Sequence, residues 1–79
     1  MTIKASNDLV GVMIDRFGKD IIIIPEDEDH FSINVNVAVS EQFIGWIIAL
    51  GEKVKITGPE DVVKQMQQAA KRLTEQYLV

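Results

Sequence analysis

The sequence has no cysteine, one histidine, two prolines and no apolar run as long as a membrane span. Without cysteine there is no disulfide framework, no thiolate zinc site and no thiol nucleophile, which is typical of a reducing compartment. A membrane span needs about 18 or more apolar residues in a row. The first six residues also lack the apolar segment of a secretory signal. The sequence therefore predicts a cytoplasmic protein with no membrane segment.

Basic residues are also scarce, with eight Lys and Arg against twelve Asp and Glu and a net charge of -4. Duplex DNA and anionic lipid both attract basic surfaces, so the composition argues against unspecific binding to either. A chain of 79 residues can form one small core and is too short for two. We expect a single domain over residues 1–79 with few apolar side chains left for a deep pocket.

The residue patterns of common catalytic and metal sites are missing as well. His30 follows four acidic residues at the head of a predicted strand, where a solvated histidine is a simpler interpretation than a catalytic one. The acidic run, residues 26–29, fits a solvated connection between strands. A cation site is the alternative, although no glycine supplies the bend of a calcium loop. Neither Arg16 nor Arg72 accompanies the glycine-rich loop that an acylphosphatase-like enzyme needs. We expect no enzyme activity, no metal and no cofactor.

The spacing of apolar residues predicts the element order β-α-β-β-α-β-α. Strands are predicted over residues 2–6, 19–25, 31–39 and 52–57. Helices are predicted from the cap Asn7-Asp8 to Gly18, over residues 41–50 behind the cap Ser40, and from Gly58-Pro59 to about Leu78. Right-handed crossovers then place the strands as 4-1-3-2 with two helices on one face. This is an α+β, ferredoxin-like sandwich, an antiparallel sheet with an extra C-terminal helix.

Four consecutive isoleucines, Ile21 to Ile24, form the centre of the second predicted strand. β-branched side chains disfavour helix and favour strand. So many apolar residues in a row predict a strand that is buried on both faces or covered by a partner. Two of the four must lie on the face of the sheet that the helices leave open, beside polar residues, as expected at an interface.

Polar side chains gather on that open face. Residues 31–39 alternate with period two, so Ser32, Asn34 and Asn36 point away from the core. An ordinary solvated face and an anion-binding or domain-docking face are both compatible with this pattern. The candidate residues of the face are Lys4, Asn34, Asn36, Lys53 and Lys55.

Gly45 and Trp46, in the second predicted helix, raise a similar choice. A glycine inside a helix costs about 1 kcal/mol relative to alanine, so it commonly permits the close approach of another group. Trp46 lies off the main apolar stripe of its helix. It is either a residue at the edge of the core or an anchor for a partner.

Four segments together resemble the C-terminal extension, or WCX domain, of WYL-domain transcriptional regulators. They are IDRFGKD at residues 14–20, VNVAVS at 35–40, QFIGW at 42–46 and VKITGPE at 54–60. The regulators that the chain resembles are bacterial proteins with an N-terminal winged helix-turn-helix, a central ligand-sensing WYL domain and this extension. The resemblance implies that the chain is the C-terminal regulatory domain of a longer regulator and has no enzymatic activity.

The resemblance also implies partners and site residues. The extension is associated with dimer contacts and with completing or gating the effector pocket. The implied partners are the WYL domain of the same chain or of a dimer mate, a second copy in a homodimer, and a single-stranded nucleic acid or nucleotide effector. Duplex DNA would be contacted through the N-terminal domain alone. The positions that match the family's motifs are Arg16, Phe17, Gly18, Phe43, Gly45 and Trp46.

A free-standing sensor of the ACT type is the alternative hypothesis, because it shares the βαββαβ plan and binds small molecules at a dimer interface. Such a sensor carries a glycine in the loop after its first strand. Here that loop reads Ser6-Asn7-Asp8, and the first glycine, Gly11, comes within the predicted helix. The sequence therefore favours the regulator module.

Overall fold

The computed structural model describes residues 1–78. Within them lie four strands, three α-helices and two short 3₁₀ turns. The strands are β1 (Thr2–Ser6), β2 (Ile23–Pro25), β3 (His30–Asn34) and β4 (Val54–Gly58). The helices are α1 (Val10–Phe17), α2 (Glu41–Ala49) and α3 (Glu60–Tyr77), and the 3₁₀ turns are Asn7–Leu9 and Gly51–Lys53.

The four strands form one antiparallel sheet in the order β2-β3-β1-β4. Read from the other edge, this is the predicted order 4-1-3-2. In the central register, Ile3 lies between Ile33 and Ile56, while Lys4 lies between Ser32 and Lys55. Since facing residues of paired strands share a face, the first row is apolar and the second polar. The α+β class, the antiparallel sheet and the strand order are confirmed.

The core lies on the apolar face of the sheet, where all three helices contribute to one cluster. Met13, Phe31, Ile3 and Ile33 are almost completely buried. Burying one such side chain stabilises the fold by about 1.5–3 kcal/mol relative to leaving it in water. The whole cluster consists of Ile3, Ala5, Met13, Phe31, Ile33, Phe43, Ile47, Val54, Ile56 and Val62.

The helix ends confirm two of the predicted signals and correct a third. The Ser40 hydroxyl accepts a hydrogen bond from the Phe43 N–H at 3.1 Å, as an N-cap does. Gly18 ends α1 with φ at +96°, and its N–H donates to the Ile14 carbonyl. The predicted cap at Asn7 and Asp8 is wrong, because these residues form the turn Asn7–Leu9 and α1 begins at Val10. Their side chains bind other parts of the chain, as described below.

The second strand is shorter and more exposed than predicted. It comprises Ile23–Pro25 at the edge of the sheet, and Ile22, Ile23 and Ile24 are all exposed. The expectation of a strand buried on both faces is wrong, because the helices cover one face and β3 pairs with one edge. Cover by a partner stays a prediction.

The third strand also ends early, at Asn34 instead of residue 39. Asn36 is therefore not in a strand, contrary to the prediction. Val35, Val37 and Val39 remain half-buried against the core while Asn36 and Ala38 between them are exposed. The alternation thus predicts burial correctly. It does not predict strand pairing, because β2 begins at Ile23 and does not extend beside residues 35–39.

The last helix extends beyond the core that its first turns cover. Val62 is buried and Met66 is half-buried, whereas Ala70 and Tyr77 of the predicted apolar stripe are exposed. Among residues 1–78 there is no helix with the length and apolar character that crossing a membrane requires.

Candidate functional site

Arg16, Phe17, Phe43 and Trp46 form a contact between α1 and α2, which we call the Trp46 cluster. The Trp46 ring packs edge-on against Phe17, with centroids 5.7 Å apart, and tilted against Phe43 at 5.9 Å. The guanidinium carbon of Arg16 lies 4.9 Å from the Trp46 ring centroid. A cation over an indole ring contributes about 0.5–1 kcal/mol at exposed sites. The structure thus brings together residues from two of the four segments that carry the resemblance.

Gly18 ends α1 directly after Arg16 and Phe17 of this cluster. Arg16 lies in the last turn of α1, where a cation interacts favourably with the helix dipole. Gly18 then turns the chain at a positive φ with an extended ψ, which costs other residues about 1–3 kcal/mol. Trp46 is half-buried beside the buried Phe43, as a residue at the edge of the core would be. Its role as an anchor stays a prediction.

Gly45 faces an open groove between α2 and α3. A Cβ atom at this position would have no atom within 4 Å, so nothing in the described chain needs a glycine there. Across the groove, Arg72 Nη1 lies 3.4 Å from Glu41 Oε1. The groove has a volume of about 490 Å³, and its apolar residues are Ile44, Ile48, Ala69 and Leu73.

The three candidate lysines lie together, but one of them, Lys53, forms an ion pair with Asp8. Lys4 and Lys55 are direct neighbours in the β1–β4 register. Lys53 lies in the turn Gly51–Lys53 and not in the predicted strand. Its ammonium donates to Asp8 Oδ2 at 2.6 Å. This hydrogen bond lowers the pKa of Asp8 below its ordinary value and raises that of Lys53 above its own.

The two candidate asparagines line a different depression from the lysines. Asn34 Oδ1 accepts a hydrogen bond from the Thr2 hydroxyl at 2.6 Å. Asn36 lies beyond the end of β3, where it lines a groove with Asn34. The lysines line a separate shallow depression of about 190 Å³ with His30. The predicted polar face therefore carries two depressions, one lined by the asparagines and one by the lysines.

The acidic run, residues 26–29, forms the turn between β2 and β3, and we call it the acidic turn. Asp27 Oδ1 accepts from the Asp29 N–H and contacts His30 Nδ1, both at 2.8 Å. The Asp29 N–H, and secondly His30, lower the pKa of the Asp27 carboxyl. The side chain of Asn7 also donates to the Glu28 carbonyl. Within the part of the chain that the structure describes, no group of three or more His, Asp or Glu side chains could hold a metal ion.

A second groove opens where β2 and β3 separate. We call it the β2 groove. It has a volume of about 440 Å³, with Phe17 of the Trp46 cluster on its wall and Asp20, Asn34 and Asn36 as its polar residues. The linear pattern does not join these segments into one site, although the run of isoleucines is a usable signal. Its apolar residues are Phe17, Ile21, Ile22, Ile24, Val35 and Val37.

The comparison with known families agrees with this architecture. Residues 1–74 match the family model of the WCX domain. That range includes α1, α2, the whole sheet and most of α3. No curated protein and no solved structure matches the chain. The match extends over nearly the whole sequence and includes all four segments that carry the resemblance, so the chain belongs to the WCX domain family.

Proposed function

We propose that this chain is the C-terminal regulatory module of a WYL-type transcriptional regulator. It docks on the WYL domain or on a second subunit and helps to gate effector binding there. It acts by binding, without catalysis, in the cytoplasm of a bacterial cell. The strand order and the helices on one face support a ferredoxin-like architecture for the module.

One observation carries this proposal beyond family membership. Two motifs distant in sequence meet at the Trp46 cluster, where Trp46 contacts both Arg16 and Phe17. Arg16 is exposed there and Trp46 is half-buried. Arginine and tryptophan are the side chains that most often contribute strongly to interfaces. The cluster therefore offers a partly exposed aromatic surface with a cation over the Trp46 ring.

The net charge supports the assignment of duplex DNA contact to another module of the regulator. At -4 the chain is poorly suited to hold duplex DNA, which the winged helix-turn-helix of such a regulator would contact instead. For a single-stranded nucleic acid or nucleotide effector, Lys4 and Lys55 are the candidate phosphate contacts. Neither forms an ion pair within residues 1–78. The ACT-type alternative has less support, because the turn Asn7–Leu9 after β1 contains no glycine.

The test uses the regulator that carries this chain, with Arg16→Glu and Trp46→Phe as variants. Arg16 is exposed, so Arg16→Glu should fold while reversing the charge at the cluster. We expect weaker assembly by analytical ultracentrifugation and a weaker response of DNA binding to the effector. Lys64→Glu, on the exposed side of α3, is the matched charge reversal away from the cluster. If both cluster variants assemble and respond like Lys64→Glu, the docking role of the cluster is wrong.

Direct effector binding has its own test, an amide NMR titration of the labelled chain with short single-stranded oligonucleotides at low and moderate salt. Saturable shifts at Lys4 and Lys55, or at Arg16 and Trp46, would support a direct contribution to the effector site. Phosphate contacts predict that these shifts weaken as salt rises. No shifts at millimolar oligonucleotide would exclude a useful affinity of this chain alone and leave docking as its function.

A further inference from the structure

The β2 edge of the sheet is uncovered and strongly apolar. Ile22 is 75% exposed and Ile24 is 41% exposed, although isoleucine is among the residues most often fully buried. The β2 groove lies beside them and adds the half-buried Ile21, Val35 and Val37. In soluble proteins, contiguous apolar surface of this kind commonly marks an interaction site.

The backbone of β2 can accept one more strand. The Glu26 N–H donates to the His30 carbonyl at 3.0 Å, so these two residues form a hydrogen-bonded pair. Bonded and non-bonded pairs alternate in an antiparallel ladder. Ile24 therefore bonds to β3, while Ile23 and Pro25 direct their backbone groups away from it. The outer edge thus presents the N–H and C=O of Ile23 and the C=O of Pro25.

Charge distinguishes among the partners that this edge could bind. The acidic turn lies at one end of β2, and among its four carboxylates Asp27 is the one that pairs with His30. Glu26, Glu28 and Asp29 form no ion pair within residues 1–78. A second copy of this chain would bring its own net charge of -4 to the interface. In antiparallel pairing centred on Ile23 it would set Glu26 opposite Asp20, and in parallel pairing the acidic turns would meet.

We propose that the β2 edge and the β2 groove bind an extended apolar protein segment flanked by lysine or arginine. The segment adds a strand beside Ile23, as in other cases of β-strand addition. Its apolar side chains contact Ile22 and Ile24, and its cations face the acidic turn. This inference rests on the docking function proposed above and specifies the kind of partner.

The test is an NMR titration of the labelled 79-residue chain with two synthetic peptides. Both contain the same alternating valine-threonine core, and one is flanked by lysines while the other is flanked by glutamates. We expect the lysine-flanked peptide to shift the amides of residues 21–24 and 34–37 saturably. Exposed charge pairs each contribute modestly, so three of them predict about tenfold tighter binding than for the glutamate-flanked peptide. The difference should shrink at high salt.

Variants of the chain locate the contact. Ile22→Thr combined with Ile24→Thr should weaken the lysine-flanked peptide about tenfold or more, because two apolar contacts are lost. Ile48→Thr is the matched control, since Ile48 is 44% exposed and lies in α2. A lysine-flanked peptide with a central proline should bind less well than its parent, because proline removes a donor from the added strand.

Three results of the titrations would overturn the proposal. Equal affinities for the two peptides would contradict the charge argument, and no shifts at millimolar peptide would contradict the site itself. Concentration-dependent shifts at residues 21–24 without any peptide, lost in the double isoleucine variant, would show that a second copy occupies the edge. The proposed function has a separate test in the regulator that carries this chain. A regulator that needs Arg16 and Trp46 but tolerates the isoleucine variants keeps that function and refutes this inference.

Discussion

The guanidinium carbon of Arg16 lies 4.9 Å from the centre of the Trp46 ring, so α1 and α2 meet through a cation–π contact. The two residues are far apart in sequence and belong to two of the segments by which the chain resembles WCX domains. Their contact is local to the edge of the core, with Phe43 beneath the indole. A surface residue and a core residue are thus linked through one ring.

The cation–π contact should be measurable as a coupling energy. Arg16→Gln should lower the free energy of unfolding by about 0.5–1 kcal/mol. In a Trp46→Leu background the same change should have little effect, because the ring is no longer there. Urea denaturation of the four proteins of this cycle gives the coupling. Lys19→Gln, an exposed charge removal nearby, is the control, and an equal loss in both backgrounds would contradict the contact.

Gly45→Ala should stabilise this chain by about 1 kcal/mol, because a Cβ there meets no atom within 4 Å and alanine is the better helix former. Gly18→Ala should do the opposite and destabilise it by about 1–3 kcal/mol, since φ +96° with ψ 160° lies in a region that is essentially confined to glycine. Chemical denaturation measures both. In the regulator, Gly45→Ala also reports on partners. If it impairs assembly while stabilising the chain, a partner approaches α2 closely, whereas undisturbed assembly would refute that role.

The pKa values of Asp8 and Asp27 should respond differently to loss of their side-chain neighbours, Lys53 and His30. Lys53→Gln should return the pKa of Asp8 toward its ordinary 3.8, because the Lys53 ammonium is the main cause of the lowering. His30→Gln should leave the pKa of Asp27 below 3.8, because the Asp29 N–H is the larger cause there. Carboxyl NMR titration measures both. Full recovery of the Asp27 pKa in His30→Gln would contradict the turn geometry.

The sign of the pH dependence follows from these directions. Asp8 has a lower pKa folded than unfolded, so its contribution to stability is present above pH 3.8 and is lost as the pH falls through the folded pKa. Lys53 has a raised pKa, so its contribution is complete below pH 10.5 and is lost as the pH rises through the folded value. Both side chains are exposed, and added salt should reduce both shifts. Shifts that do not change with salt would contradict a solvent-exposed pair.

Ser40 should contribute to stability as the cap of α2. Its hydroxyl accepts the Phe43 N–H, so Ser40→Ala should cost about 1 kcal/mol in thermal or urea unfolding. Ser40→Asp supplies another acceptor at the same place and should keep most of the stability. If Ser40→Asp is as destabilising as Ser40→Ala, the hydroxyl does not act as a cap.

The fold was largely predictable because its elements carry strong local signals. Ser40, Gly18 and the apolar spacing of the helices placed the elements, and right-handed crossovers then determined the strand order. The lengths of β2 and β3 were not predictable in the same way. A strand ends where its neighbour stops pairing, and period-two burial of Val35 and Val37 continues past Asn34 without a partner strand.

The contacts among the candidate residues were not predictable from the linear pattern. Contacts such as Lys53 with Asp8, or Asn7 with the Glu28 carbonyl, join residues distant in sequence whose types suggest other roles. Asn7 and Asp8 are good helix caps by composition, and tertiary partners take their side chains instead. The meeting of Arg16 with Trp46 likewise depends on how α1 and α2 pack, which a linear pattern does not contain.

The place of β1 at the centre of the sheet has a consequence for how the chain folds. Its residues pair with β3 on one side and with β4 on the other, and Ala5 meets Val54 across a loop that contains most of the domain. Closing so long a loop costs entropy before the contacts form, which slows folding relative to a helical bundle of equal size. During synthesis β1 therefore cannot pair with β4 until most of the domain has been made. A nascent chain that stops before β4 still exposes one side of its central strand, with Ile3 and Ala5 incompletely covered.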